Sequence, residues 1–216
     1  MTNNSDSPAT AYYLVGDIGG TNARFAFISP GERRPSPLAR YLVADFATFD
    51  DVLSRLLKDW QALGLPEGGP AKTCLAVAAP PHLNTISFTN SPWRFDRALL
   101  KTYLAQSSID IINDFAAVGY ALTALEAGDV EQVGAGTSQA HQPIVAPGPG
   151  TGTGVATVVF DTTRQPVALQ GEGGHVDLAP ITEFEFDGFG PLLAPSGPRA
   201  SARLSCGACI RNTHTA

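Results

Sequence analysis

Cysteine is scarce: Cys74, Cys206 and Cys209 are the only three in 216 residues, too few for a disulfide framework. Cys74 lies in the apolar run TCLAVAA and reads as core. Cys206-x-x-Cys209 has neither a second Cys/His pair nor a thioredoxin-like setting, so it carries no zinc or redox expectation. Basic residues are in the minority. Fourteen Lys and Arg stand against twenty Asp and Glu, a formal net charge of −6. With no basic patch or stripe, no nucleic acid or anionic membrane is expected as a partner. No stretch reaches 18 consecutive apolar residues, and the polar start MTNNSDSPATA lacks the charged-then-apolar layout of a signal peptide. These absences point to a soluble, cytoplasmic protein, and 44% hydrophobic residues suffice for a proper core.

The common nucleotide and metal signatures are missing too: there is no GxxxxGK[ST], no GxGxxG and no HExxH. Yet GDIGGTNARFAF, residues 16–27, is a glycine-rich turn of the kind that holds phosphate, opening with an acid and containing no lysine. An apolar run, Tyr12 to Val15, leads into Asp17, Gly19, Gly20, Thr21 and Asn22, and a second run follows from Ala23 to Ile28. The pattern predicts a β-hairpin turning at Gly19-Gly20. Its N–H groups can face an anion, and Asp17 can hold Mg²⁺, directly or through water, so that the metal offsets phosphate charge in place of a lysine. A purely structural reading stands beside this one: the glycines close a hairpin and Asp17 makes an Asx turn.

Short runs rich in β-formers recur at YYLV, ARFAFI, RYLVA, TCLAVAA, TISF, IDII, QPIVA and GVATVVF. Helical patterns lie between some of them. FDDVLSRLLKDWQAL spaces Val52, Leu53, Leu56, Leu57, Trp60 and Leu63 as one apolar face, with Asp50 or Asp51 as N-cap. Further helices are predicted over 96–105 and 114–125. Hairpins followed by alternating strand and helix indicate an α/β domain with a mixed sheet. A polar, Gly-rich stretch over 125–142 marks the approach to a second domain, giving segments 1–125, 126–180 and, where periodicity decays, a loop-like tail 181–216.

A second glycine-rich stretch, GPGTGTG at 148–154, sits between two of the strand-like runs. It reads either as a second phosphate nest facing the first or as an unrelated hairpin. In IINDFAAVGYAL, Asn113 and Asp114 interrupt an apolar segment at a strand-to-helix junction. Asp114 there is either an N-cap or, at the carboxyl end of a strand, a general base. GEGGHVDLAP sets Glu172 and His175 beside glycines, able to present both to a polyhydroxylated ligand, with no metal-ligand spacing.

Taken in order, LVGDIGGTNARFAF, TNSPWRF, IINDFAAVGYAL, GPGTGTGVA and EGGHVDLAP resemble the bacterial glucokinase family, of the actin-like, ribonuclease-H-like ATPase superfamily, from about Tyr12 to Pro180. The resemblance implies an actin-like fold with a complete small domain and the start of a large one. It implies ATP-dependent phosphorylation of glucose at the 6-hydroxyl, with Mg²⁺, and a homodimer as in the family. Gly16, Asp17, Gly19, Gly20, Thr21 and Asn22 would form the first phosphate hairpin, Asp17 serving the metal. Gly150, Thr151 and Gly152 would form the second. Asn113 would bond a sugar hydroxyl and Asp114 would take the 6-hydroxyl proton. Glu172 and His175 would bind other hydroxyls, with Asn90 near the sugar.

The chain departs from the family after about Pro180. The family's long further segment does not follow, and its SAER element, which donates another sugar-binding Glu, has as its nearest counterpart RASARLSCG, without Glu. Strands such as GVATVVF are therefore expected beside unpaired sheet edges. Three further readings stay open: a kinase for another hexose such as N-acetylmannosamine, a sugar-binding fragment without catalysis, and a defective reading frame. The first usually brings a cysteine-rich zinc motif that this chain lacks, and a repressor would need a helix-turn-helix before GDIGGT that eleven polar residues cannot build.

Overall fold

The structure, a computed structural model, describes residues 12–67, 69–88, 91–104, 107–149, 153–171 and 182–184. Among these residues the chain divides into two compact units between Asp114 and Phe115, whereas the composition shift placed the change near residue 125.

The first unit is built on a five-stranded mixed sheet, in the order β3-β2-β1-β4-β7. β1 (Tyr13–Ile18), β2 (Asn22–Ile28) and β3 (Ser36–Leu42) form an antiparallel meander, and β4 (Lys72–Val77) and β7 (Ser108–Asn113) add on parallel to β1. Strand periodicity sets the faces. Leu14 and Ile18 of β1 and Leu75 and Val77 of β4 are buried on one side, while Tyr13, Asp17 and Lys72 point the other way.

That buried side is covered by α1 (Phe49–Ala62), by a small hairpin of β5 (Thr85–Ser87) and β6 (Arg94–Asp96), and by α2 (Arg97–Tyr103). Phe49, Val52, Leu53, Leu56 and Trp60 of α1 are buried, each stabilising by about 1.5–3 kcal/mol. Phe49 stacks on Phe95 with centroids 4.4 Å apart and tilts against Trp93 at 5.6 Å. Trp93 Nε1 donates to the Phe46 carbonyl at 3.0 Å, so the loop entering β6 is pinned at a buried aromatic.

The second unit holds α3, which begins at the boundary (Asp114–Leu122), and a three-stranded antiparallel sheet. Its strands are β8 (Ile144–Pro149), β9 (Thr153–Phe160) and β10 (Pro166–Gly171), in the order β10-β9-β8. A Cβ on Gly119 would lie 3.1 Å from Val158 and 3.3 Å from Ala168; glycine lets the helix backbone come close to the sheet.

Several expectations need correction. The N-cap of α1 is Thr48, not Asp50 or Asp51: Asp51 N–H donates to Thr48 Oγ1 at 3.2 Å and Thr48 N–H to Asp51 Oδ2 at 3.0 Å, a capping box that uses the acid three residues in. Leu63 caps the C-terminus and is exposed rather than buried. α2 starts one residue later than expected and ends at Tyr103, and the Asp96 carboxylate accepts from Thr85 Oγ1 at 2.5 Å instead of capping the helix. α3 stops at Leu122, where Thr123 folds back onto the Tyr120 carbonyl. GVATVVF forms the middle strand β9, paired on both sides, with β10 and β8 as the outer strands among the described residues. β6 and β10 were not foreseen, being short or headed by proline. Cys74 is only half-buried, and burial, then the nearby Asp110 charge, raise its pKa.

One polar cluster on the first unit makes stability depend on pH. Tyr41 Oη donates to Asp59 Oδ2 at 2.7 Å and Arg55 Nε to Asp59 Oδ1 at 2.9 Å. Burial alone would raise the Asp59 pKa, but the bonds from Tyr41 and Arg55 outweigh it and hold the carboxyl below its ordinary 3.8. A depressed folded-state pKa contributes stability above the unfolded value that disappears as pH falls through the folded one. Asp59→Asn should therefore cost about 1–2 kcal/mol near neutrality. In thermal melts at stepped pH, the gap to wild type should close only below about pH 4.

Candidate active site

The parallel strands end level with one another. Ile18 of β1 is paired with Val77 of β4, and Val77 with Asn113 of β7; one residue back, Asp17, Ala76 and Ile112 form the preceding row. The carboxyl edge of the first unit's sheet thus carries the turn after β1 at one position and the Asn113–Asp114 step at another. These lie two strand spacings apart, about 10 Å. Open α/β sheets bind ligands along such an edge.

The first hairpin turns between Ile18 and Asn22, centred on Gly20–Thr21, one residue past the expected Gly19-Gly20. Gly19 N–H donates to the Asn22 carbonyl at 2.9 Å, so this N–H closes the turn and does not point at an anion. Thr21 gives its carbonyl to Val43 N–H at 2.9 Å, which ties the turn to the segment after β3. Gly20 lies between them. Gly16 has a packing reason for lacking a side chain: a Cβ there would fall 2.8 Å from Leu75 Cδ2 and 3.0 Å from Phe25 Cε1.

Asp17 faces away from the core, 51% exposed, and is not in an Asx turn: its Oδ2 accepts from Arg24 Nη1 at 2.9 Å. The two are cross-strand partners. At this exposure the pair is worth about 0.2–1 kcal/mol. Arg24 is in turn the partner of Arg40 on β3, and Arg40 Nε donates to Asn22 Oδ1 at 3.1 Å. Two guanidiniums therefore sit beside the turn that has no lysine. Sequence reasoning missed both, although counting residues outward from a turn centred on Gly20–Thr21 pairs position 17 with 24.

Asn113 closes β7 and Asp114 opens α3. Asn113 Nδ2 donates to Asp114 Oδ1 at 2.9 Å, orienting the carboxylate with a neutral donor. Asp114 is the first helical residue rather than the cap before it. Asn90, Gly150, Thr151, Gly152, Glu172 and His175 lie outside the described residues, as do Cys206 and Cys209. Among the described residues no group of three or more His, Cys, Asp or Glu side chains is placed to hold a metal. No helix among them is long and apolar enough to cross a membrane.

A mixed sheet with the meander β3-β2-β1 followed by parallel β4 and β7, and ligand-type motifs gathered on its carboxyl edge, defines an actin-like kinase fold. A crystal structure of glucokinase from an Antarctic psychrotroph superposes with a TM-score of 0.73 at 30% identity, covering 89% of this chain and 59% of that one. The ROK family glucokinase from Streptomyces griseus, in complex with glucose and AMPPNP, shares the fold at a TM-score of 0.52 and 18% identity, covering 79% of this chain and 52% of that one. The glucokinase family model matches residues 14–216. Glucokinase of Sinorhizobium medicae (strain WSM419) is 36% identical over the whole chain, and that of Yersinia pestis (strain Pestoides F) 34% identical over 96% of it. The chain belongs to the glucokinase family. It spans 62% of the length of each of these two relatives.

The packing around Gly16 is open to test. Gly16→Ala should destabilise by about 1–3 kcal/mol, because Leu75 and Phe25 must both shift to admit a methyl group. Urea unfolding measures this. A variant as stable as wild type would mean that the strand has room and that glycine is there for a ligand.

Proposed function

We propose that this chain carries the sugar- and phosphate-handling edge of an ATP-dependent glucokinase, transferring the γ-phosphoryl group of ATP to the 6-hydroxyl of D-glucose. The observation that carries this reading is the common row: the DIGGTN hairpin and the Asn113–Asp114 step stand on the carboxyl edge of one parallel ladder, about 10 Å apart. That span accommodates a sugar hydroxyl at one end and a phosphoryl group at the other.

In this reading Asp114 is the general base. Its carboxylate, oriented by Asn113, takes the proton from the 6-hydroxyl as the oxygen attacks phosphorus in line, and the leaving group is ADP. Alignment and charge stabilisation do most of the work in such a transfer. The hairpin meets phosphate with N–H groups beyond Gly19, whose own is engaged in the turn, and with the positive charge of Arg24 and Arg40 nearby. Asp17 suits Mg²⁺ as Mg²⁺ is usually held, by one carboxylate with waters and substrate phosphate completing the shell. The ion would offset phosphate charge, and its approach requires Asp17 to loosen its pair with Arg24. Glu172, His175 and Asn90 are assigned to the sugar and Gly150–Gly152 to a second phosphate turn from their motifs and the resemblance, the homodimer from the resemblance, and the cytoplasmic setting from the composition of the chain.

Asp114→Asn keeps the shape of the side chain and removes its basicity. It should lower turnover by about 10²-fold or more with glucose affinity nearly unchanged, measured by glucose-dependent ADP release beside calorimetry. Most of the activity surviving would make Asp114 a structural residue. Asp17→Ala should weaken the response to Mg·ATP and spare glucose binding; the opposite pattern would contradict its place on the phosphate side.

A further inference from the structure

The ladder between β1 and β4 runs one step past the end of β4. Ala78 N–H donates to the Ile18 carbonyl at 3.3 Å, the bond that a parallel pair makes after the partners Ile18 and Val77. The backbone of Ala78 is therefore held in the sheet, between the turn after β1 and the Asn113–Asp114 step, about one strand spacing or roughly 5 Å from each. The chain beyond it draws away. Ala79 joins the core, and Arg97, the first residue of α2, gathers in the rest of the connection: its side chain donates to the carbonyls of Pro81 and Leu83, and its backbone N–H to the Asn84 carbonyl at 3.1 Å. Ala78 itself is exposed. Val77 and Ala79 on either side of it belong to the core, so its methyl group points away from the core, at the middle of the carboxyl edge.

Resting on the glucokinase reading, we propose that Ala78 sets the clearance at the junction where the 6-hydroxyl of the sugar meets the γ-phosphoryl group. With the sugar at the Asn113–Asp114 end of the edge and phosphate at the hairpin end, the two reacting groups meet between them, over the residue that stands in the middle. Ala78 supplies neither charge nor proton. Its part is to be small: a methyl group leaves room for an in-line approach, whereas a β-branched side chain, stiff at χ1, crowds the junction and cannot swing clear. Because the position is exposed, bulk added there has no core to disturb, which separates this role from packing.

Ala78→Ser, Ala78→Thr and Ala78→Val form a size series on the full 216-residue chain. Melting temperatures should all stay within about 2 °C of wild type. Glucose-dependent ADP release should fall about tenfold or more in Ala78→Val and equally in Ala78→Thr, which has the same shape, and stay within about threefold in Ala78→Ser. By calorimetry, glucose alone and Mg·AMPPNP alone should each bind Ala78→Val within about threefold of wild type, while glucose should bind the Mg·AMPPNP-loaded variant about tenfold more weakly than it binds the loaded wild type. Wild-type turnover in Ala78→Val, unequal losses in Val and Thr, or single-ligand losses as large as that of the ternary complex would overturn the proposal. So would a fall in melting temperature that tracks the loss, since Ala78 would then be a packing residue. If wild type binds both ligands but transfers no phosphoryl group, the functional reading fails while the ternary measurement still decides the role of Ala78. A wild type that binds neither overturns both.

Discussion

The parallel ladder β1-β4-β7 is the constraint on which the rest of the first unit depends. Its register brings Ile18, Val77 and Asn113 into one row. Asp17 and the Asn113–Asp114 step are placed by what the chain does one residue before this row or immediately after it. A slip of one residue in β7 would turn its side chains to the opposite face and move Asp114 off the end of the strand. The register is held by side chains that fit only one way. Leu75 and Val77 of β4 are fully buried with Leu14 and Ile18 of β1, and Thr73 keeps its hydroxyl satisfied on Ser107 at 2.8 Å. The aromatic cluster of Phe49, Trp93 and Phe95 closes the same side and is itself hydrogen-bonded to the backbone through Trp93.

Glycine has at least two distinct meanings here, and only one concerns turns. Gly19 closes a hairpin through its own N–H. Gly16, Gly119, Gly148 and Gly154 are bare because a neighbour occupies the place of a side chain: Leu75 and Phe25, Val158 and Ala168, and the Phe115 ring. A run such as GPGTGTG thus mixes glycines that admit a packed ring with those of the turn, and counting glycines overstates the share available to a ligand.

Local periodicity made most of the elements legible. The alternation of β1 and β2 around a glycine-rich turn, the 3.6-residue face of α1 and the strand-to-helix step at Asn113–Asp114 are each written within one short local stretch. The elements that escaped depend on partners far along the chain: β6 is three residues long and exists because β5 pairs with it, and β10 begins with a proline and is held by β9. The boundaries moved for local reasons of another kind, where side-chain hydrogen bonds compete with helix, as at Thr48 and Thr123. Of the site, Asp17 and the Asn113–Asp114 pair could be singled out from sequence, but their sharing of one sheet edge could not. That follows from strand order, in which β4 enters between β1 and β7. The packing of Phe115 against Gly148 and Gly154 gave no signal, since those glycines lie more than thirty residues away.

The opening puzzle of a phosphate-type turn without lysine resolves in the register of the hairpin. A lysine in a mobile turn would bring a flexible charge on a long stem. Arg24 instead stands in a strand, opposite Asp17, and Arg40 stands opposite Arg24. The backbone ladder fixes the strand positions of both arginines, and the bonds from Arg24 to Asp17 and from Arg40 to Asn22 hold their guanidiniums beside the turn. Their pairing with Asp17 and Asn22 leaves a net positive charge beside the turn, two cations against one carboxylate and one neutral amide oxygen. Positive charge is thus held beside the turn by two side-chain bonds, while the turn itself carries glycine at positions 19 and 20.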